Sequence, residues 1–220
     1  MDVREALRRR HSVRGFRREP VPAPVLRRIF DDAQRAPSWC NTQPWRVWVA
    51  SGARRDRLVE ALREAARSGM PQPEIGFPTE YPEPYAARRR RAGQALYEAM
   101  GIARDDRDAR AAAWMRNFDA FDAPHVAIAG VDRRFGPYAL LDLGVWLGTV
   151  VLLAQQEGVA SCAQASLAAY PGAIRRVLPI PDEIAITVGL SLGYEDAEVP
   201  ANRCRTDREP LESCVVLLDD

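Results

Sequence analysis

Three stretches of this 220-residue chain gather side chains able to do chemistry. In the first, Arg10-His11-Ser12-Val13-Arg14, two forked guanidinium donors flank a hydroxyl, a set that suits a phosphate monoester. Arginines also crowd solvated helix faces, so this stretch alone leaves an anion site and a charged surface both open. His11 has no carboxylate fixed beside it by spacing and reads as a hydrogen-bonding or packing histidine. The second stretch runs from Pro37 to Trp45 and holds Ser38, Asn41, Thr42 and Gln43 between prolines. Its Asn and Gln amides each offer a donor and an acceptor, which can match the carbonyl and imide edge of a heterocycle. Trp39 is open between ring stacking and core packing, whereas Trp45 and Trp48 alternate as strand residues do and read as core. Cys40 has no base near it in sequence and is not a credible nucleophile. The third stretch, Arg203 to Pro210, sets Arg203, Arg205 and Arg208 within six residues and could close on the same anion as the first.

Other chemistries fail on composition. All 31 basic residues are arginine, which excludes a Walker-type phosphate loop, a Schiff-base lysine and a lysine general base. Thirty acidic residues bring the net charge to +1, too little for broad polyanion affinity, so nucleic acid is not an expected partner. The Arg88–Arg91 run is the densest charge block, but no aromatic ladder accompanies it. Four cysteines without a CxxC pair and two distant histidines make neither a metal site nor a disulfide framework. GxGxxG, GxSxG and HExxH are all missing, and adjacent carboxylates such as Asp31-Asp32 cannot face each other as an acid–base couple. No single residue therefore emerges as catalytic. The start lacks an apolar signal core, and the longest nearly apolar run, 139–154, is short for a membrane span and carries Asp142. A cytoplasmic protein without a membrane partner is the expectation.

The elements that must position these stretches follow from periodicity. Helices are predicted at 3–10, from the Pro20–Pro24 entry to about Ala36, at 53–67, 88–100, 106–118, 138–156 and 173–178. Strands are predicted at 45–50, 125–131, 160–163 and 184–190. Residues 69–84 hold five prolines and read as an ordered irregular excursion. In helix 138–156, Gly144 and Gly148 lie one turn apart, where another helix could pack closely. Single strands alternating with helices make a mixed α and β fold, a central sheet covered by helices.

In order and separation, three blocks resemble the nitroreductase family of flavoproteins. They are Arg10–Arg14 with Phe16 and Pro20-Val21-Pro22; Ala36-Pro37-Ser38 followed by Asn41–Trp45; and Gly158–Ser166 with Ser191–Tyr194 and Arg205–Pro210. The resemblance implies an α+β fold with a mostly antiparallel sheet, an intertwined homodimer, and an FMN at each of two sites between subunits. It implies one domain, 1–220, in which 69–118 is a variable helical lid. Arg10, Ser12 and Arg14, with Arg205 and Arg208, would take the ribityl phosphate and the adjoining flavin face, with His11 in the same set. Pro37, Ser38, Asn41 and Gln43 would approach the ring from the partner chain. Gln164, Ala165 and Ser166 resemble the loop whose amide near Ala165 donates to flavin N5. The implied activity is ping-pong hydride transfer from NADPH or NADH through FMN to a nitroaromatic, quinone or similar acceptor. A flavin dehydrogenase or reductive dehalogenase is the alternative on the same scaffold, and a non-enzymatic anion-binding dimer is a distant third. Tyr81, Tyr85, Arg88, Trp114 and Phe118 are the lid residues expected at the pocket.

Overall fold

The computed structural model describes residues 1–218; the last two positions of the expected 1–220 domain lie outside the described residues. Helix α1 (Val3–Arg9) starts at Asp2, whose carboxylate accepts the Glu5 N–H at 2.8 Å. Only Ala6 of α1 is buried. Helix α2 (Ala23–Ala33) opens with proline in its first turn and stops three residues before Ala36. The amides of Gln34 and Ala36 there reach back three residues instead of four, a tightened turn ahead of Pro37.

The remaining elements are β1 (Arg46–Ser51), α3 (Gly52–Ser68), α4 (Tyr85–Ala99), α5 (Arg107–Met115), β2 (His125–Asp132), α6 (Pro137–Gln156), β3 (Ala160–Gln164), α7 (Pro171–Arg175) and β4 (Ile184–Gly193). Helix 173–178 was expected two residues later than α7 begins, because Pro171 opens the first turn. The four strands form one sheet in the order β1-β2-β4-β3, and every pairing is antiparallel. The fold is α+β, as the resemblance implies.

Period-2 alternation on β2 shows how the sheet is covered. Val126 and Ile128 point to one face, where Leu58 and Leu62 of α3 and Ile174 of α7 pack. Ala127, Ala129 and Val131 point to the other, against Ile29 of α2 and Leu143, Trp146 and Val150 of α6. Burying each of these large aliphatic side chains contributes about 1.5–3 kcal/mol, so two apolar layers clamp the sheet. His125 is one of the polar residues buried inside this frame. Its Nε2 accepts the Val21 N–H at 2.9 Å, which leaves Nδ1 to carry the proton and donate to Ser51 Oγ at 2.6 Å. Burial lowers its pKa below the usual 6.5, more than the Val21 contact raises it. It is a neutral structural histidine.

Helix α6 departs from expectation. At 20 residues it is long and apolar enough to cross a membrane by length and composition. One stripe of it packs on the sheet as a core helix does. The opposite stripe, Leu141, Gly144, Val145 and Gly148, recurs at i, i+3, i+4 and i+7 and is exposed. A Cβ on Gly144 or Gly148 would meet nothing within 4 Å, so the helix expected against them is not in this chain. The excursion before α4 is irregular, as predicted, and is pinned by Glu74. Its carboxylate accepts from Arg175 at 2.8 and 3.2 Å, from the Ile186 N–H at 2.6 Å and from Arg133.

Candidate active site

The chain leaves α1 at Arg10 and runs extended beside β3. Ser12 pairs in parallel with Ser161, and the Val13 N–H donates to the Ser161 carbonyl at 3.1 Å. Val13 is buried, so Ser12 and Arg14, its neighbours on either side, turn together to the opposite face. The C-terminal stretch is locked onto this segment by Asn202, which is 2% exposed. Its Oδ1 accepts the Arg14 N–H at 2.6 Å, and its Nδ2 donates to the carbonyls of Gly15 and Asp196, both at 2.8 Å. Gly15 permits the contact: a Cβ there would lie 2.5 Å from Val199 Cβ.

The first and third sequence stretches therefore meet. Arg8, Arg10, Arg14, Arg205 and Arg208, with Ser12, His11 and Thr206, line a cavity of about 310 Å³. Among the described residues, no carboxylate lines it, and the Arg14 guanidinium donates only to the Ser12 carbonyl, at 3.2 Å. Arg205 is oriented by the Asn202 and Cys204 carbonyls at 2.6 and 3.0 Å, and Arg208 by Thr206 Oγ1 at 3.0 Å and the Asp207 carbonyl at 2.7 Å. Converging cations without a counter-charge repel one another, and a dianionic phosphate in their midst relieves that repulsion with charge-assisted bonds. The residues fit a phosphate monoester. His11 lines the same cavity but bonds away from it, to Glu195 at 3.1 Å and the Arg9 carbonyl at 3.2 Å. Beneath them Cys162 is buried, which pushes its thiol up to about 11 despite the nearby Arg14 and Arg10 charges, so it stays a neutral thiol.

Arg14 also lines a second, more apolar cavity of about 380 Å³, walled by Leu96, Tyr97, Met100, Trp114 and Asn117. Asn117 ties this cavity to the end of β3. Its Oδ1 accepts from Gln164 Nε2 at 3.3 Å and Ser166 Oγ at 3.2 Å, and its carbonyl accepts from Gln164 at 3.1 Å. Ser191 Oγ donates to the remaining Gln164 oxygen at 2.6 Å. The Gln164 side chain is thus buried and fully used within the chain; what it leaves at the surface is the backbone turn at Ala165.

The second stretch stands apart. None of Pro37, Ser38, Asn41 and Gln43 lines either cavity. Their loop is built against α6, where the Asp142 carboxylate accepts the Trp39 N–H at 3.1 Å. Trp39 tilts against Tyr138, ring centroids 5.0 Å apart, so its partner is a protein ring. Cys40, Asn41 and Gln43 all have positive φ, between 47 and 57°. For Cys and Gln this left-handed backbone is uncommon and costs about 1 kcal/mol or more each. Ser38 Oγ, accepting the Gln43 N–H at 2.9 Å, helps to hold it. Such strain is typical of loops shaped for a ligand.

Among the five lid residues, only Trp114 lines the apolar cavity. Phe118 is fully buried, edge-on to Trp114 and Tyr170 at 4.9 and 5.5 Å, which makes it core and corrects its expected place in the pocket. Sequence reading missed Asn202 and Asn117. Lone asparagines in irregular chain carry no period, and only their partners reveal them.

Comparison with known proteins converges on one family. The family model described as "Nitroreductase family" matches residues 7–194. The 4-nitrobenzoate reductase of Nocardioides sp. strain LMS-CY is 37% identical over 219 residues, covering 97% of this chain and 89% of that protein. The crystal structure of the FMN and NADPH-dependent nitroreductase NfnB from Sphigopyxis sp. strain HMH superposes with a TM-score of 0.95 at 38% identity, covering all of both chains. The FMN-dependent NfnB from Mycobacterium smegmatis, solved with NADPH, superposes at 0.94 with 33% identity, covering 99% of this chain and 100% of that one. With its sheet, its arginine cavity and these matches across nearly its whole length, the chain belongs to the nitroreductase family.

Proposed function

We propose that this protein is an FMN-dependent NAD(P)H oxidoreductase that reduces nitroaromatic or quinone-like acceptors in a ping-pong cycle. The observation that carries this is the arginine-lined cavity joined through Arg14 to a ring-lined apolar one. A flavin mononucleotide has the same two ends, a phosphate and a flat ring. The relatives' names support the same chemistry, since a 4-nitrobenzoate reductase and FMN- and NADPH-dependent nitroreductases are among them.

FMN, when bound, supplies reversible two-electron transfer at its ring, accepting hydride from a nicotinamide and passing it to the acceptor. Arg10, Arg14, Arg205 and Arg208 would hold the phosphate, and Ser12 would supply a hydroxyl. These contacts bind the cofactor equally before and after reduction, so they set affinity more than turnover. The backbone at Ala165, fixed by the Gln164–Asn117–Ser191 bonds, would donate to the ring nitrogen. Pro37, Ser38, Asn41 and Gln43 would complete the site from a second copy. The uncovered α6 stripe and the exposed apolar tail, Val215 to Leu218, support that homodimer. Residues 69–118 would act as a lid and set acceptor preference. A nicotinamide donor and four free cysteines suit the cytoplasm.

The test is anaerobic addition of NADPH or NADH to the FMN-loaded protein, then a nitroarene. Bleaching by a nicotinamide followed by recovery with the nitroarene is expected. Bleaching only by an organic donor would favour a desaturating dehydrogenase.

A further inference from the structure

Tyr97 lines the Trp114 cavity and, on its other side, a wider cleft of about 1070 Å³ between α4 and α5. The cleft carries Arg89, Arg90, Arg91, Arg104 and Arg110, against one carboxylate, Glu98, which Gln94 already bonds at 2.7 Å. Arg90 is spent on Glu83, and Arg91 on Glu209 and Asp207. Arg89 lies over the Tyr81 ring at 4.8 Å. At the outer end Arg104, Arg107 and Arg110 line a further opening together with one carboxylate, Asp105. Among the described residues, the side chains of Arg104 and Arg107 make no ion pair or hydrogen bond, and both are exposed. Arg110 is aimed by stacking on Tyr97 at 4.6 Å and by donating to the Arg104 carbonyl at 2.8 Å. The three arginines thus border one open depression at the end of the cleft.

We propose that the Arg104–Arg107–Arg110 end of this cleft binds a phosphate monoester, the 2′-phosphate of NADPH, and so selects NADPH over NADH. The proposal rests on the nicotinamide-oxidising function above. The arginine cavity at Arg14 is assigned there to the cofactor phosphate, and the Trp114 cavity between them is apolar. The next cationic site along the row of cavities is this one. A monoester carries nearly two charges at neutral pH, while each phosphate of a dinucleotide bridge carries one. Three forked guanidiniums against the single Asp105 carboxylate therefore favour the monoester, the group that NADPH has and NADH lacks.

The experiment uses the FMN-loaded protein and the double variant Arg104→Ala/Arg107→Ala, both sites being exposed. Anaerobic flavin bleaching gives kcat/KM for NADPH and NADH, and calorimetry gives affinities for 2′,5′-ADP and 5′-AMP. The double variant should lose about tenfold in kcat/KM for NADPH, about 1.4 kcal/mol, with NADH changed less than about twofold. Affinity for 2′,5′-ADP should fall in step, and 5′-AMP should not respond. Arg104→Lys should recover part of the loss. Equal losses for both nicotinamides would put the dinucleotide bridge there and overturn the proposal, as would no loss for either. If neither nicotinamide bleaches the wild-type flavin, the oxidoreductase assignment has failed, and the 2′,5′-ADP measurement decides the phosphate site by itself.

Discussion

Arg14 is the residue on which both cavities turn, since its guanidinium borders each and only one carbonyl restrains it. Arg14→Ala should weaken FMN binding about tenfold to a hundredfold, the worth of a charge-assisted phosphate contact of about 1.5–3 kcal/mol. Turnover at saturating FMN should change much less, because the contact is the same before and after reduction. Equilibrium dialysis of FMN beside steady-state rates separates the two effects. His125 gives a second test at this scale, and its sign follows from the lowered pKa. Below about pH 6.5 the unfolded chain takes a proton that the folded chain resists. The stability contribution is present above that pH and is lost as pH falls through it, at up to about 1.4 kcal/mol per pH unit. Urea midpoints between pH 5 and 7.5 should show this slope, and His125→Gln should flatten it. An identical slope in the variant would assign the titration elsewhere.

Elements were legible in the sequence wherever a period governed them. The helices around Leu58, Val59 and Leu62 and around Trp146 and Val150, and the alternating β2, announce themselves because burial repeats every 3.6 or 2 residues. Ends moved by two or three residues where proline or a tight turn decided, as at Ala33 and Pro171. The arginine stretches were visible as residue types, but their meeting was not, since the groups that join them, Asn202 and the backbone of Tyr194–Asp196 paired with Gly15–Arg17, lie far from Arg14 in the chain. The Phe118 assignment failed because the whole of 69–118 was read as lid, whereas Phe118 lies past the end of α5 and turns into the core. Two element-scale outcomes follow. Asn202→Ala removes three hydrogen bonds to buried or half-buried backbone and should cost about 2–4 kcal/mol; Asn202→Asp should recover only the acceptor. FMN affinity should fall with it, since the two walls of the cavity lose the side-chain tie nearest Arg14. Glu74→Gln should lower stability by about 1–3 kcal/mol by stripping charge from a mostly buried carboxylate that faces Arg175. Burial raises the Glu74 pKa, but bonds from Arg175, Ile186 and Arg133 outweigh it and hold the group below its usual 4.5. Thermal melts of each variant measure these costs.

For the whole molecule, the arginine cavity proposed for the phosphate and the Ser38–Gln43 loop stand apart in one chain, and an apolar stripe of α6 is exposed. These features are explained together if two copies pack through α6. Gly148→Arg should leave the subunit folded, because nothing within the chain lies near that position. On that packing it should leave a monomer in sedimentation, and FMN should be lost at the same time. A variant that stays dimeric and yellow would remove α6 from the interface. The most direct measurement is the absorbance spectrum of the purified protein, before and after denaturation and after anaerobic NADPH. A yellow protein that releases FMN on unfolding and bleaches with NADPH is expected. A colourless protein that takes up no added FMN would contradict the assignment of the arginine cavity and the chemistry built on it.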